Sequence, residues 1–281
     1  DIVKDNWGKY FYIRDLESGK THTTGLLPIK DGVDFYEVRH GLGYTVITRE
    51  SNGVRSEFTI FVSPDKPMEF MTLKLTDLSG KNRKLDVTGY FEWACGMAFD
   101  THREFQRLFY DCAFDKSLNS IVINKCLWGF PDSKGRYNND DWPYTAFFCC
   151  SEKVSSFDCD KEKFIGMYRD EKTAVALDNA ELTGSFGRYC EPVGALRVKV
   201  DVKAGASKTL VFGLGMAKKD GEDYKELIKS CNEKSAADAL KKTKEKWDGI
   251  CGAETVRTPD DAFNVMVGNW TKYQALSCRM W

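Results

Sequence analysis

Apolar and polar residues alternate along about the first 215 residues, which is the period of a half-buried β-strand. Short groups of turn-forming residues separate the alternating stretches, and Asn52-Gly53 is the strongest hairpin signal among them. The strands predicted in this way are Tyr10–Arg14, Phe35–Arg39, Tyr44–Arg49, Val54–Val62, Met68–Leu75, Leu85–Val87, Ser120–Ile123, Tyr144–Cys150, Leu196–Val202 and Thr209–Leu214. Because no helices stand between so many strands, the pattern predicts a mainly β fold, a large antiparallel β-sandwich with sheets packed face to face.

The pattern changes after about residue 219. Glu222–Trp247 is rich in Lys, Glu, Ala and Leu, which is typical of a helix with one face in water. A second helix start follows at Thr258–Asp261, with threonine as N-cap, proline at the first helical position and acids at the positive end of the helix dipole. Apolar residues then recur at helical spacing up to Trp281, so we expect a helix that continues in a longer protein. The sequence therefore predicts two helices after the sandwich.

The charge and hydropathy of the chain exclude several classes of protein. Its 281 residues carry 41 Lys and Arg against 42 Asp and Glu, a formal net charge of −1 at pH 7. A dedicated nucleic-acid-binding protein needs a basic surface, which this balance does not indicate. No apolar run approaches the roughly 20 residues that would cross a bilayer. We therefore expect neither a nucleic-acid partner nor a membrane contact from this segment.

The ten cysteines indicate a reducing compartment. The chain is much larger than the small secreted domains that depend on disulfides, and no CxxC pair suggests a zinc ribbon or a thioredoxin-type site. Cys95, Cys149 and Cys150 lie in apolar, strand-like runs, where cysteine behaves as a small hydrophobic residue. We therefore predict reduced, buried thiols, a cytoplasmic location and no metal site.

Familiar catalytic and cofactor motifs are missing from the sequence. It contains no GxSxG elbow, Walker loop or HExxH, and Gly41-Leu42-Gly43 lacks the third glycine and the following helix of a dinucleotide fingerprint. We therefore expect no bound cofactor. His40 follows an alternating strand with no acid or nucleophile paired locally, which favours a structural role. Glu92-Trp93 ends another strand, where a carboxylate beside an aromatic ring can hold a sugar but more often serves packing.

The densest segment of polar and aromatic residues is Phe99–Phe109. Its candidate substrate-binding residues are Asp100, Arg103, Gln106 and Arg107. Planar donors and aromatic faces of this kind suit sugar hydroxyls in a polar cleft. The alternative is a loop that bridges two sheets through its own ion pairs. Tyr137–Tyr144, which contains Trp142, is a second candidate of the same kind.

Several segments, in order along the chain, resemble glycoside hydrolase family 94, which includes cellobiose, cellodextrin and 1,2-β-oligoglucan phosphorylases and relatives of cyclic β-1,2-glucan synthase. The similar segments are Tyr10–Asp15, Phe35–Thr45, Asn52–Arg55, Phe61–Pro64, Glu92-Trp93, Phe105–Arg107, Asp160–Gly166 and Asn269–Gln274. The ordered set carries the resemblance, which runs from about Tyr10 to Trp281. Ser277–Trp281 looks more like the cyclic-glucan-synthase and oligoglucan branch than the cellobiose branch.

The resemblance implies an N-terminal β-supersandwich over residues 1–218. Over residues 219–281 it implies a helical linker and the truncated start of an (α/α)6 catalytic barrel. The implied reaction is inverting phosphorolysis of a β-linked gluco-oligosaccharide, with inorganic phosphate as co-substrate and a sugar 1-phosphate as product. In this family the catalytic acid and the phosphate ligands belong to the barrel, so the resemblance places no catalytic residue in this chain.

The resemblance also implies a homodimer in which the sandwich of one subunit approaches the barrel of the other. The polar-aromatic stretch from Asp100 to Phe109 is our candidate for that approach. A second hypothesis, from another class, is a non-catalytic carbohydrate-binding or dimerisation module, since the chain contains no identifiable catalytic acid. A sandwich that acts alone as a mutarotase is a weaker rival, because that activity calls for paired His and Glu and the chain has 3 His.

Overall fold

The computed structural model describes residues 8–95, 107–126, 133–136, 140–219, 221 and 223–280, apart from the side chains of Arg107 and Met280. Within these ranges two antiparallel sheets pack face to face and helices follow them. The mainly β sandwich predicted from the alternation is confirmed. No helix in the described part of the chain is long and apolar enough to span a membrane.

Thirteen strands form the two sheets of the described residues. They are β1 (Tyr10–Asp15), β2 (Thr21–Thr23), β3 (Phe35–Gly41), β4 (Tyr44–Ser51), β5 (Val54–Val62), β6 (Met68–Asp77), β7 (Arg83–Glu92), β8 (Tyr110–Asp115), β9 (Ser120–Lys125), β10 (Tyr144–Cys150), β11 (Val154–Asp160), β12 (Pro192–Val202) and β13 (Ser207–Lys218). One sheet has five strands in the order β11-β12-β7-β1-β2. The other has eight strands in the order β3-β4-β5-β6-β13-β10-β9-β8.

The helices of the described ranges are fewer and lie mostly at the C-terminal end. They are α1 (Lys161–Ile165), α2 (Asp223–Lys229), α3 (Glu233–Cys251), α4 (Asp261–Val265) and α5 (Thr271–Met280), with short 3₁₀ turns at Arg107–Phe109 and Val175–Leu177. One π-helical segment, Met266–Trp270, joins α4 to α5.

The main core lies between the two sheets, because alternate residues of each strand point inward. Apolar side chains from both sheets fill this space and are fully or almost fully buried. Among them are Phe11, Ile13, Leu85, Val87, Phe58, Leu73, Phe148 and Phe212. The rings of Phe11 and Phe212 meet edge to face at 4.9 Å between centroids, an arrangement that aromatic pairs favour.

The outer face of the five-stranded sheet is covered by α1 and the chain that follows it. Asp160 caps α1 by accepting a hydrogen bond from the Glu162 backbone N–H at 3.0 Å. Phe164 of α1 stacks on Tyr90 of β7, with 4.4 Å between ring centroids. The Asp160–Gly166 segment therefore has a packing role that requires a capping acid and a buried aromatic residue.

The outer face of the eight-stranded sheet is covered by α2 and α3, which form a third apolar cluster with it. The turn between β3 and β4 is part of this contact. A Cβ built on Gly43 would stand 2.2 Å from the indole Nε1 of Trp247 in α3, so only glycine leaves room for the indole against the backbone of this turn. Lys244 of the same helix places its ammonium 4.7 Å from the centre of the Tyr44 ring.

The C-terminal helices differ in detail from the sequence-based prediction. The single helix expected over Glu222–Trp247 is divided by Ser230–Asn232, where Asn232 caps α3 by accepting from the Ser235 N–H at 2.9 Å. The N-cap of α4 is Asp260 and not Thr258, because the Asp260 carboxylate accepts from the Phe263 N–H at 3.1 Å. Both differences arise because a short polar side chain, Asn232 or Asp260, accepts a hydrogen bond from a backbone N–H and so sets where a helix begins.

A buried guanidinium fixes the loop after β2. Arg49 of β4 has no exposed surface and donates to the carbonyl oxygens of Gly25, Ile29 and Asp31 at 2.7, 2.8 and 3.0 Å. Its Nε donates to the Ser51 hydroxyl at 2.9 Å. The pKa of Arg49 is lowered by burial, and the charge is stabilised by neutral oxygen acceptors at short range.

Candidate functional site

Most of the residues that the sequence marks as substrate-binding lie outside the described residues. Asp100, Arg103 and Gln106 belong to the gap at 96–106, and Arg107 is described only through its backbone, which begins a 3₁₀ turn. The structure does describe both chain segments that enter and leave this gap. The predicted role of these four residues therefore stays a prediction.

The two flanks of residues 96–106 are fixed together at one end of the sandwich. The hydroxyl of Tyr110 accepts a hydrogen bond from the Cys95 N–H at 2.9 Å and donates to the Cys95 carbonyl at 3.1 Å. The Nζ of Lys125, whose residue is 2 % exposed, donates to the same carbonyl at 3.2 Å and lies 5.4 Å from the centre of the Tyr110 ring. The start of β8 thus holds the chain where it leaves β7.

The strand end at Glu92 and Trp93 serves packing. Glu92 accepts a hydrogen bond from Lys161 Nζ at 2.8 Å, and its side chain is 9 % exposed. Trp93 is buried, and its backbone N–H donates to the Pro192 carbonyl at 3.1 Å. These contacts join β7 to α1 and β12, as the packing interpretation of the sequence predicts.

Beside the same end of the sandwich, the loop before β12 displays two aromatic residues. Phe186 is 72 % exposed and Tyr189 is 76 % exposed. Gly187, between them, exchanges two backbone hydrogen bonds with Cys112 of β8, at 3.0 and 2.8 Å. Arg188 forms an ion pair of 2.7 Å with Asp111, the residue next to Tyr110. The loop therefore lies against β8, the strand whose Tyr110 holds Cys95.

This loop was missed by the sequence analysis. Its signal was available in Gly184 and Gly187, which stand two residues before and one residue after Phe186 in Gly-Ser-Phe-Gly. Both glycines have positive φ, at 75° and 109°, as loops with sharp reversals require. Exposure of the aromatic rings, however, depends on which strands surround them, and alternation along one segment does not report that.

The second candidate segment divides between core and surface. Trp142 is buried, and its backbone N–H donates to the Lys125 carbonyl at 2.9 Å. Tyr144 lines an open cleft of about 580 Å³ between the sandwich and α2. The other lining residues are Lys66, Pro67, Met216, Ala217, Lys218, Asp223, Glu226 and Leu227. Residues 137–139 lie outside the described part of the chain.

The contacts of His40 and His22, among the described residues, indicate structural roles. Nδ1 of His40 lies 3.0 Å from the Thr45 hydroxyl, a cross-strand contact that fits the structural role predicted for it. Burial lowers the pKa of His22 to about 3, and the nearby charge of Arg49 acts in the same direction. No group of three or more metal-ligating side chains occurs in the described ranges.

All ten cysteines are unpaired, and seven of them are buried. Cys95, Cys149 and Cys150 have the buried environment that the sequence predicts. Cys126 and Cys190 are only partly buried, and Cys278 is exposed on α5. The prediction of buried thiols is therefore wrong for Cys278, because this residue lies on a face of its helix that is exposed to solvent.

Comparison with known proteins identifies the sandwich. The family model described as "Glycosyl hydrolase 94, supersandwich domain" matches residues 1–234. An N,N'-diacetylchitobiose phosphorylase from Vibrio furnissii is 27 % identical, with 100 % of this chain and 34 % of that protein aligned. The cyclic beta-(1,2)-glucan synthase NdvB of Rhizobium meliloti is 28 % identical, with 100 % of this chain and 9 % of that protein aligned. The chain thus spans about a third of the phosphorylase's length.

A solved structure shares the fold at low sequence identity. A bacterial glucoamylase complexed with acarbose superposes with a TM-score of 0.54 and 11 % identity. The superposition covers 87 % of this chain and 31 % of the glucoamylase. This likeness concerns the architecture of the sandwich alone.

Proposed function

The chain belongs to the glycosyl hydrolase 94 family through its supersandwich domain, and from this membership we propose that it is the N-terminal part of an inverting glycoside phosphorylase. The whole enzyme would cleave β-linked gluco-oligosaccharides with inorganic phosphate and release a sugar 1-phosphate. The observation that carries this proposal is the family match over residues 1–234, together with full-length alignment of this chain to a chitobiose phosphorylase.

The described residues support a scaffolding role for the chain and not a catalytic one. Phosphorolysis needs a carboxylic acid that reaches the glycosidic oxygen, with a pKa raised enough to keep its proton. Among the described carboxyl groups, burial raises the pKa of Asp86 and of Asp160. Asp86 is 2 % exposed, and Asp160 caps α1, so neither is placed to protonate a substrate. In this proposal the acid and the phosphate ligands lie in parts of the enzyme beyond these residues.

In this proposal the sandwich positions the segment around residues 96–106. The buried contact of Tyr110 and Lys125 with Cys95 fixes the described residues on both sides of that segment. Rigid support of this kind is what precise contact with a substrate or with a partner subunit requires. Asp100, Arg103, Gln106 and Arg107 remain our candidates for such contact, within a cytoplasmic homodimer.

The experiment is a phosphorolysis assay on two proteins, the 281-residue chain and the complete protein that contains it. Each is incubated with β-1,2-, β-1,3- and β-1,4-linked gluco-oligosaccharides and inorganic phosphate, and sugar 1-phosphate is measured. We expect turnover by the complete protein and none by the chain alone. Turnover by the chain alone would contradict the scaffolding role. Absence of turnover by the complete protein on every linkage would favour a non-catalytic carbohydrate-binding or dimerisation module.

A further inference from the structure

A buried carboxylate holds the loop over residues 183–189 in one conformation. Asp158 of β11 has no exposed surface. Its carboxylate accepts hydrogen bonds from the Thr183 N–H at 3.2 Å and from the Ser185 N–H and hydroxyl at 3.1 and 2.8 Å, as well as one from the Thr183 hydroxyl. A charge buried in this way is tolerated only when its oxygens are satisfied, so the loop and the carboxylate depend on each other.

Further hydrogen bonds fix the same loop from its other side. The Ser185 hydroxyl accepts from the N–H groups of Cys159 and Asp160 at 3.1 and 3.2 Å. The Gly184 N–H donates to the Phe157 carbonyl at 2.9 Å, and Gly187 pairs with the edge strand β8. The backbone is therefore anchored on β8 and β11 immediately before and within the stretch that carries the two exposed rings.

The exposed rings are costly to hold where they are. Phe186 and Tyr189 leave 72 % and 76 % of their surface in water. Tyr189 also has a φ of 66°, a left-handed conformation that costs a non-glycine residue roughly 1–2 kcal/mol. An exposed aromatic residue that is also strained, on a loop fixed by a buried acid, is typical of a binding surface organised before its ligand arrives.

The ion pair of the loop with β8 carries no net charge. Arg188 and Asp111 pair at 2.7 Å with side chains 50 % and 39 % exposed. The pair offers planar N–H donors and carboxylate acceptors to water, while its opposite charges cancel at a distance. A phosphate-rich ligand or a membrane surface would require an excess of positive charge, which this pair does not supply.

We propose that Phe186, Arg188 and Tyr189, with Asp111, form a binding surface for a β-linked gluco-oligosaccharide, which we call the 186–189 surface. The inference rests on the proposed function for the class of sugar. The apolar C–H faces of pyranose rings fit against aromatic side chains, and vicinal hydroxyls fit the fork of a guanidinium and the oxygens of a carboxylate. Three residues of extended chain span at most ~11 Å, so the backbones of Phe186 and Tyr189 lie within the length of one short oligosaccharide.

The test measures binding, not turnover, on the 281-residue chain without phosphate. Isothermal titration calorimetry uses cellohexaose, laminarihexaose and a β-1,2-linked glucohexaose as probes. We expect at least one of them to bind, and we expect Phe186→Ala and Tyr189→Ala each to weaken that binding about fivefold, since a stacked ring contributes on this scale. The double variant should abolish measurable binding.

Tyr168→Ala is the matched control, because Tyr168 is 99 % exposed and has a φ of 60° but lies on the loop after α1. It should bind like the wild type, and circular dichroism should show that all variants are folded. Unchanged affinity in the double variant, or no binding of any probe, would overturn the proposal. A change of oligomeric state in the double variant, seen by sedimentation without loss of a sugar complex, would assign the 186–189 surface to a second copy of the chain instead. Failure here leaves the phosphorolysis assay unaffected, so the two proposals fail separately.

Discussion

Gly43 lies directly against the indole of Trp247, and a Cβ at position 43 would stand 2.2 Å from its Nε1. The contact joins the β3–β4 turn to α3, so it couples the sandwich to the C-terminal helices. Gly43 also has a φ of 78°, which adds a second reason for glycine. The Gly-Leu-Gly sequence could suggest a phosphate-binding loop, but its role here is to pack against a helix.

Gly43→Ala should reduce the free energy of unfolding by about 2–4 kcal/mol, because left-handed strain and overpacking both act. Urea unfolding monitored by tryptophan fluorescence measures the loss. Gly80→Ala is the control, since Gly80 has a φ of 70° but nothing within 4 Å of its would-be Cβ. It should lose only about 1–2 kcal/mol. Equal losses in the two variants would show that the Trp247 contact contributes nothing.

The buried imidazole of His22 should make the stability depend on pH. Burial, with the charge of Arg49, lowers its pKa from 6.5 to about 3. The unfolded chain therefore binds a proton below pH 6.5 that the folded chain refuses, and stability falls with falling pH by up to about 1.4 kcal/mol per unit. His22→Gln should flatten the urea-unfolding curve between pH 6.5 and 4.5, relative to the wild type. The exposed-site variant His40→Gln should keep the wild-type slope, and a wild-type slope in both variants would refute the assignment.

Arg49 should be essential for the loop that it binds. Arg49→Met leaves the carbonyls of Gly25, Ile29 and Asp31 without their donor, and each unpaired group costs about 1–3 kcal/mol. We expect a loss of at least about 3 kcal/mol in unfolding free energy. Arg55→Met, which removes an exposed ion pair, should cost no more than about 1 kcal/mol. Similar losses would mean that the loop does not depend on the guanidinium.

The fold could be predicted further from the sequence than the site could. Alternation and turn residues locate β4 and β5, and the Asn52-Gly53 hairpin has the positive φ values of 54° and 74° that its sequence predicts. The alternation of apolar and polar residues can be read within one strand, so it also locates the strands that line the core. Strand β11 was missed because its Val154–Asp160 sequence is rich in Ser and Asp, and the buried Asp158 binds Thr183 and Ser185 of the 183–189 loop.

The missing parts of the site depend on contacts between distant segments. Asp158 and Ser185 are 27 residues apart, and the sequence around neither residue predicts their hydrogen bond. Arg49 likewise reads as one polar position of an alternating strand, yet it is fully buried against a loop 18 to 24 residues earlier. Such pairings are decided by topology, which residue patterns alone predict only in outline.

Thiol reactivity should follow the burial of the cysteines. In the native chain, Cys278 should react first with a thiol reagent such as Ellman's reagent, because it is the exposed cysteine on α5. Cys126 and Cys190 should follow slowly, and the seven buried thiols should react only after denaturation. Cys278→Ser should remove the fast phase and leave the later phases unchanged. A fast phase of several thiols would contradict the packing of the sandwich.

The stereochemistry of the reaction tests the central proposal most directly. The complete protein that contains this chain is incubated with a β-linked gluco-oligosaccharide and inorganic phosphate, and proton NMR follows the anomeric signal of the first product. Direct attack by phosphate on the anomeric carbon inverts its configuration, so we expect an α-linked sugar 1-phosphate. A β-linked sugar 1-phosphate, or free sugar formed equally well without phosphate, would contradict the proposal.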